Sequence, residues 1–412
     1  MSLDGNMDPM TDPLRASEGE PFFGRQSAAH SMVSVPAAGC WEVVIVGAGP
    51  AGSMLALQLA RRGVQVLLVE KASFPRYKVC GGCLNATALH ALSAAGLSID
   101  TLGGTPIEAV QLVTSHGSTT IALPAGKAIS RARLDAMLVN EARAAGAEFL
   151  SGTAAKLQGG RQGERIISLE HGGRRSTIGA RVVIAADGLD GGFLSREGSC
   201  PTFIDPLSAI GAGCLLESSD IGLTQSSITM ACAAAGYVGM VALENGQLGV
   251  AASMNRAYVR ERGGPARAAA RILRGVALRV PGGLESATWR GTPALTRRRR
   301  RLGGQRLFVL GDAARYVQPF TGEGIAWALC SAQLLVSFVL QGLSNWSNRL
   351  IAEWEMLYRR KLGQRQRSCQ VIDSIVRRPW LLHGFVRIPA LASLAARWMN
   401  RPIFVEKRCL EL

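Results

Sequence analysis

Histidine is scarce in this 412-residue chain, and none of the five, His30, His90, His116, His171 and His383, clusters with a nucleophile and an acid. A hydrolase triad therefore has no support. The nine cysteines are scattered. Small disulfide-stapled scaffolds are excluded, and a reducing, cytoplasmic setting is expected. The start of the chain has no basic segment followed by an apolar core, so it does not read as a secretory signal. No run of about 18 uninterrupted apolar residues occurs, so no transmembrane helix is expected. Zinc-finger spacing, an RNP motif and a basic heptad region are all missing, which argues against a nucleic-acid partner. No internal repeat is visible.

What is present points to a globular enzyme. Hydrophobic residues make up 48% of the chain, and 48 glycines suit tight turns and close backbone approach to a ligand. The net charge of +16 fits an anionic partner, such as an acidic membrane face or a phosphorylated substrate or cofactor. Residues 1–40 are polar and aperiodic and read as a mobile leader. A buried parallel strand is expected at Glu42–Val46, a helix from Ala51 to about Arg62, and a second strand at Val64–Val69. A strand pair is expected at 106–114 and 119–123, joined through His116-Gly117-Ser118, and a helix from Ser130 to Ala145. Strands recur at 148–156, 165–170 and 181–186. From about 207 to 254 the pattern is nearly all strand. A short helix is expected at Pro265–Val276 and a buried strand at Leu307–Leu310. Helices follow from Gly324 onward.

Gly47-Ala-Gly49-Pro50-Ala51-Gly52 has the spacing G-x-G-x-x-G between a strand and a helix. Gly47 allows the turn, Gly49 leaves room for a pyrophosphate, and Gly52 lets the helix pack on the sheet. Free N–H groups at the helix start hold phosphate charge. Glu70, followed by Lys71, ends the next strand, where an acid can accept the hydroxyls of an adenosine ribose. These residues make a dinucleotide site, open at this point between NAD and FAD. A second stretch, Leu307 to Leu329, carries a strand ending in Gly311-Asp312. An acid at that edge can bond a sugar-alcohol chain such as ribityl. Pro319, Gly322 and Gly324 then form a loop into a helix, whose N–H groups could stabilise negative charge on a flavin ring.

The second stretch resembles the second FAD fingerprint of the p-hydroxybenzoate hydroxylase superfamily, and Pro319-Phe-Thr-Gly-Glu-Gly-Ile325 resembles its geranylgeranyl reductase branch. Phe74-Pro-Arg-Tyr-Lys-Val-Cys80-Gly81-Gly82 resembles the Cys-Gly segment of that branch, which runs beside the flavin. Ser130-Arg131-Ala-Arg-Leu-Asp135 resembles the helix start whose arginine reaches the FAD phosphates. Ala186-Asp187-Gly188 matches the superfamily's Asp-Gly motif. The resemblance implies FAD as cofactor, with NADPH, NADH or another donor supplying electrons. It implies hydride transfer through flavin N5 to or from a small hydrophobic substrate. A monooxygenase hydroxylating an aromatic or polyketide-derived compound is the rival.

Two blocks depart from the family. Leu189-Asp190-Gly191-Gly192 replaces the usual Ser and Arg after Asp-Gly, which puts direct NADPH use in doubt. Gly236-Tyr237-Val-Gly239-Met-Val241-Ala242 lacks the Trp, Phe and Pro that line the substrate tunnel, so a wider or reshaped pocket is expected. Cys80 is a candidate active-site residue. Cys83 makes a CxxC with it, read either as a redox dithiol or as chance. No second ligand pair follows, so no metal is expected. Tyr237 is a candidate proton donor against an ordinary core role. Arg297 to Arg301 reads as a solvated loop or as a dock for an anionic substrate, carrier or membrane. Residues 374–405 mix arginine with apolar and aromatic residues, as an interfacial helix or a packed lid does.

The expected class is α/β: a Rossmann-like FAD-binding domain interleaved with a β-sheet substrate domain and a C-terminal helical segment. The expected boundaries are a leader at 1–40, FAD-binding parts at 41–190 (with inserted strands about 106–123) and 297–340, a β-rich part at 191–296, and helices over 341–412. A cytoplasmic enzyme is expected, with peripheral membrane contact as its second possible setting.

Overall fold

The computed structural model describes residues 39–161, 163–194, 198, 200–217, 226–318, 320 and 322–378. Residues 1–38 of the expected leader lie outside these, as do Pro319 and the arginine- and aromatic-rich tail beyond Arg378, whereas Cys40 already begins a strand.

Two large sheets carry the chain. The first has five parallel strands in the order Leu307–Val309, Arg174–Ala185, Cys40–Val46, Val66–Val69 and Glu148–Leu150. Their valine, isoleucine and leucine side chains are buried, apart from the exposed outer end of Arg174–Ala185, as expected for strands covered on both faces. The glycine-loop helix, Pro50–Ala60, is buried along its whole length. Helices Arg131–Ala144 and Gly324–Ser344 pack against it. Gly324–Ser344 is long and apolar enough to cross a membrane, yet most of it is buried inside the protein, where it serves as a core helix.

The second sheet has eight strands in the order Arg290–Ala294, Ile210–Leu216, Leu248–Met254, Gly236–Ala242, Ser227–Ala233, Thr105–Thr114, Gly117–Ala128 and Cys83–Leu84. Helix Pro265–Gly275 packs on it, burying Ala268, Ala269, Ala270, Ile272 and Leu273 while its arginines point away. The hairpin expected within the FAD-binding part belongs to this sheet, because Thr105–Thr114 pairs in parallel with Ser227–Ala233. Its turn is at Ser115-His116, and Gly117 already starts the return strand.

Local corrections follow from glycine and from pairing. The strand expected at 148–156 breaks at Gly152, whose φ of +64° makes a turn, giving Glu148–Leu150 and Thr153–Arg161. The run at Arg297–Arg301 is not a loop throughout. Arg297–Arg299 is a strand between Thr202–Ile204 and Arg315–Tyr316. The described part of the C-terminal region is helical, with Arg349–Tyr358 and Gln364–Val376 joined by a π turn.

Candidate active site

The glycine loop is held by contacts that leave no room for a side chain. A Cβ on Gly52 would meet the Gly47 carbonyl oxygen at 1.9 Å, and one on Gly47 would meet the Ala186 carbonyl oxygen at 2.3 Å. Gly49 differs. Space opens in front of it, with guanidinium nitrogens of Arg131 and Arg76 at 3.7 and 3.9 Å from an added Cβ.

Those two arginines are 9% and 10% exposed, and both are held by Asp135, which is fully buried. Arg131 donates to Asp135 through Nε at 2.9 Å and Nη2 at 2.8 Å, and Arg76 Nη1 lies 3.1 Å from the same carboxylate. Burial alone would lower the Arg131 pKa. Asp135, Cys80 and Asp312 outweigh it and hold the pKa above its ordinary value. Glu70 accepts from the N–H of Ala48 at 3.1 Å and of Ala72 at 3.0 Å, which ties it to the glycine loop. Lys78 also lines the space. Burial lowers its pKa, the Arg131 charge adds to this, and the nearby Asp312 opposes it. Asp312 is itself pushed up by burial, with Lys78 and Arg131 acting the other way.

All of this opens on one cavity of about 920 Å³. Gly47, Gly49, Pro50, Ala51, Glu70, Lys71, Cys80, Gly81, Arg131, Asp187, Gly188, Asp312, Gly322 and Gly324 line it. Gly52 and Gly311 do not; they stand behind the lining, Gly52 under the loop and Gly311 with a Cβ position 2.8 Å from Ala51. Cys80, Tyr237 and Cys83 are on the wall. Beyond the charged end the lining turns apolar, with Ile107, Leu112, Ile228, Met230 and Val241 from the second sheet and Phe320 facing them.

The residues suit FAD. The open face of Gly49 between two buried guanidiniums is a diphosphate cradle. Arg76 Nε is buried without a partner, a donor left over for a ligand. Glu70, 3.4 Å from Arg76, and Asp312, which senses the charges of Lys78 and Arg131, line the same cavity and are the acceptors that ribose and ribityl hydroxyls need. Gly324 and Ile325, the first residues of the long core helix, line the cavity, and the N–H groups of a helix start have no partner within the helix.

Sequence reasoning missed Arg76, Lys78 and Asp135 as site residues. All three stand inside motifs already read. The signal was the basic pair two apart in Arg76-Tyr-Lys78 and the buried acid one turn after Arg131. The expected pocket change at Gly239 also takes an unexpected form. A Cβ there would lie 2.9 Å from Met230 Sδ, so the methionine occupies part of the room left by the absent bulky wall. Cys83 donates to the Gly81 carbonyl, and burial pushes its thiol up to about 12, which disfavours the thiolate that a redox dithiol needs. The Tyr237 hydroxyl sits beside Gln318, and burial raises its pKa. Its ring packs edge-on against Phe320 at 5.2 Å. Asp187 accepts from Phe193 N–H through one oxygen, and the other has no partner.

A glycine loop, a diphosphate cradle and a strand-end Asp on one cavity define an FAD-dependent enzyme. The chain belongs to the FAD binding domain family of p-hydroxybenzoate hydroxylase type, whose model matches residues 41–351. It is 33% identical over 153 residues to the menaquinone reductase of Mycobacterium tuberculosis, covering 36% of this chain and 37% of that protein. The first curated relatives are matched over less than two fifths of their length. Among solved structures, the flavin-dependent brominase Bmp2 shares the fold with a TM-score of 0.73 at 19% identity, over 88% of this chain and 93% of that one. A geranylgeranyl bacteriochlorophyll reductase-like protein of Thermoplasma acidophilum does so with a TM-score of 0.69 at 17% identity, over 91% and 95%.

Bound FAD supplies the redox centre of such an enzyme. The protein's part is to hold and shield. Arg76 and Arg131 would neutralise the diphosphate, Glu70 would hold the adenosine ribose, and Asp312 the ribityl chain. The Gly324 helix start would favour negative charge at the ring, and the apolar lobe would surround the reacting atoms with non-polar side chains.

Proposed function

We propose that the protein is an FAD-dependent reductase of an unsaturated isoprenoid-type lipid, prenylated quinones among them. The carrying observation is that the apolar lobe and the FAD cradle are one continuous cavity. The partial likeness to a menaquinone reductase supports a lipid of this class. In the reaction a carbon–carbon double bond gains a hydride by way of the flavin and a proton from water or from Tyr237. NADPH, NADH or another donor restores the two electrons.

A second reading is a monooxygenase of an aromatic or polyketide-derived compound. It is favoured by Gly239 and Met230, where an adaptable thioether stands beside a glycine in the tunnel-wall block. One experiment separates the two. The protein is reduced without oxygen and then mixed with menaquinone or geranylgeranyl compounds, or with oxygen plus an aromatic panel. Return of the oxidised flavin spectrum on lipid addition, with a product heavier by two hydrogens, supports the reductase. A product heavier by one oxygen atom, formed only in air, replaces it with the monooxygenase.

A further inference from the structure

We infer that the exposed edge built by Thr202–Ile204 and Arg297–Arg299 is a docking surface for an anionic lipid bilayer. Phe203 is 49%, Ile204 46% and Leu207 87% exposed, so three large apolar side chains stand in solvent within five residues. Single exposed apolar residues are ordinary, but a cluster beside cations of one sign is not. Phe203 pairs with Arg298 in antiparallel register, and the Arg298 guanidinium lies 5.2 Å from the Phe203 ring.

The arginine strand divides its work by alternation. Arg297 and Arg299 turn inward and donate to backbone carbonyls, Arg297 to Leu189 and Ala294, and Arg299 to Ala313, Cys200 and Gly191. Arg298, Arg300 and Arg301 are exposed. The neighbouring acid, Asp205, spends a carboxylate oxygen on the Leu207 N–H at 2.9 Å, which fixes the turn that presents Leu207. Phe203, beside Arg298, and Leu207 are thus apolar tips on an edge that carries exposed arginines, while Ile204 pairs with the inward Arg297 on the other face of the strand. Tips of this kind enter the boundary of the acyl chains while guanidiniums stay with headgroup phosphates.

A second copy of the chain fits less well, because a two-fold contact would set these arginines against themselves. The surface also adjoins the site. Arg297 and Arg299 hold the Gly188–Gly191 turn, and Gly188 and Leu189 line the cavity. Delivery of substrate from the bilayer at this edge rests on the lipid-reductase reading; the surface itself does not.

The test is sedimentation of the full FAD-loaded chain with vesicles of phosphatidylcholine alone or mixed with phosphatidylglycerol. The expected result is binding to the anionic vesicles only, weakened by salt. R298Q/R300Q/R301Q should lower the partition about fivefold per arginine, about a hundredfold in all. F203S/L207S should lower it independently of salt. Unchanged FAD content shows that both variants are folded. The inference is overturned if the native chain ignores anionic vesicles, or if the triple variant binds them equally. A dimer abolished by F203S/L207S, without vesicle binding, assigns the edge to a second copy instead. So does capture of an acidic protein by the edge without vesicle binding assign it to that partner. Turnover of a short, water-soluble isoprenoid analogue needs no bilayer. Its absence with vesicle binding intact sinks the reductase reading alone.

Discussion

Glu323 stands just before the Gly324–Ser344 helix, 1% exposed, and its ionisation should weaken the fold. The Cys369 thiol donates to one carboxylate oxygen at 3.0 Å, and Arg365 lies 3.8 Å from the other. Burial outweighs both and raises the pKa from 4.5 to about 7. The unfolded chain releases this proton near 4.5 while the folded chain keeps it until near 7. Through that window the native state binds more protons, so stability falls as pH rises. Below it no penalty exists, and above it the cost is complete at about 3 kcal/mol. Glu323→Gln keeps the shape and an acceptor for the thiol but cannot ionise. Against native protein it should be nearly neutral at about pH 4 and more stable by about 3 kcal/mol at about pH 8. Denaturant unfolding of both proteins across that range, at fixed FAD, reads the difference. A difference that stays constant with pH refutes the argument.

Asp135→Asn leaves two buried guanidiniums short of a counter-charge and should cost about 3–5 kcal/mol of stability, with loss of bound FAD, seen by thermal melting and flavin absorbance. Full retention of both would remove Asp135 from the cradle. Gly52→Ala drives a methyl into the Gly47 carbonyl and should yield protein without flavin, or none that folds; a variant with native FAD content contradicts that packing. Cys83→Ser should leave flavin reduction unchanged within about twofold, since a thiol pushed up to about 12 is not a thiolate at neutral pH, and a large fall would restore the dithiol. Tyr237→Phe should slow turnover by less than about tenfold if the ring is chiefly wall, whereas a loss of about a hundredfold or more makes it the proton donor.

The features readable from sequence are those written in short spacing. Gly47 to Gly52, Glu70 and Gly311-Asp312 each sit where a strand ends, and strand ends can be read from a few neighbouring residues. The cradle was half legible: Arg131 came from its motif, but its coupling to Arg76 through Asp135 joins a loop and a helix more than fifty residues apart. No local pattern records that. The membership of Thr105–Thr114 in the second sheet was hidden for the same reason, because its partner Ser227–Ala233 lies over a hundred residues downstream. Composition also misled at Arg297–Arg301. Five like charges read as a solvated run, yet alternate members spend their donors on carbonyls inside the protein.

The parallel sheet has a consequence for how the protein is made. Its strand Val183–Ala185 finds its outer neighbour only in Leu307–Val309. During synthesis more than a hundred residues, including most of the second sheet, must leave the ribosome before that edge is covered. Until then an apolar border of unsatisfied amides is open to other nascent chains. Output in a host cell should thus be governed by the supply of holding chaperones and by translation speed between those two strands.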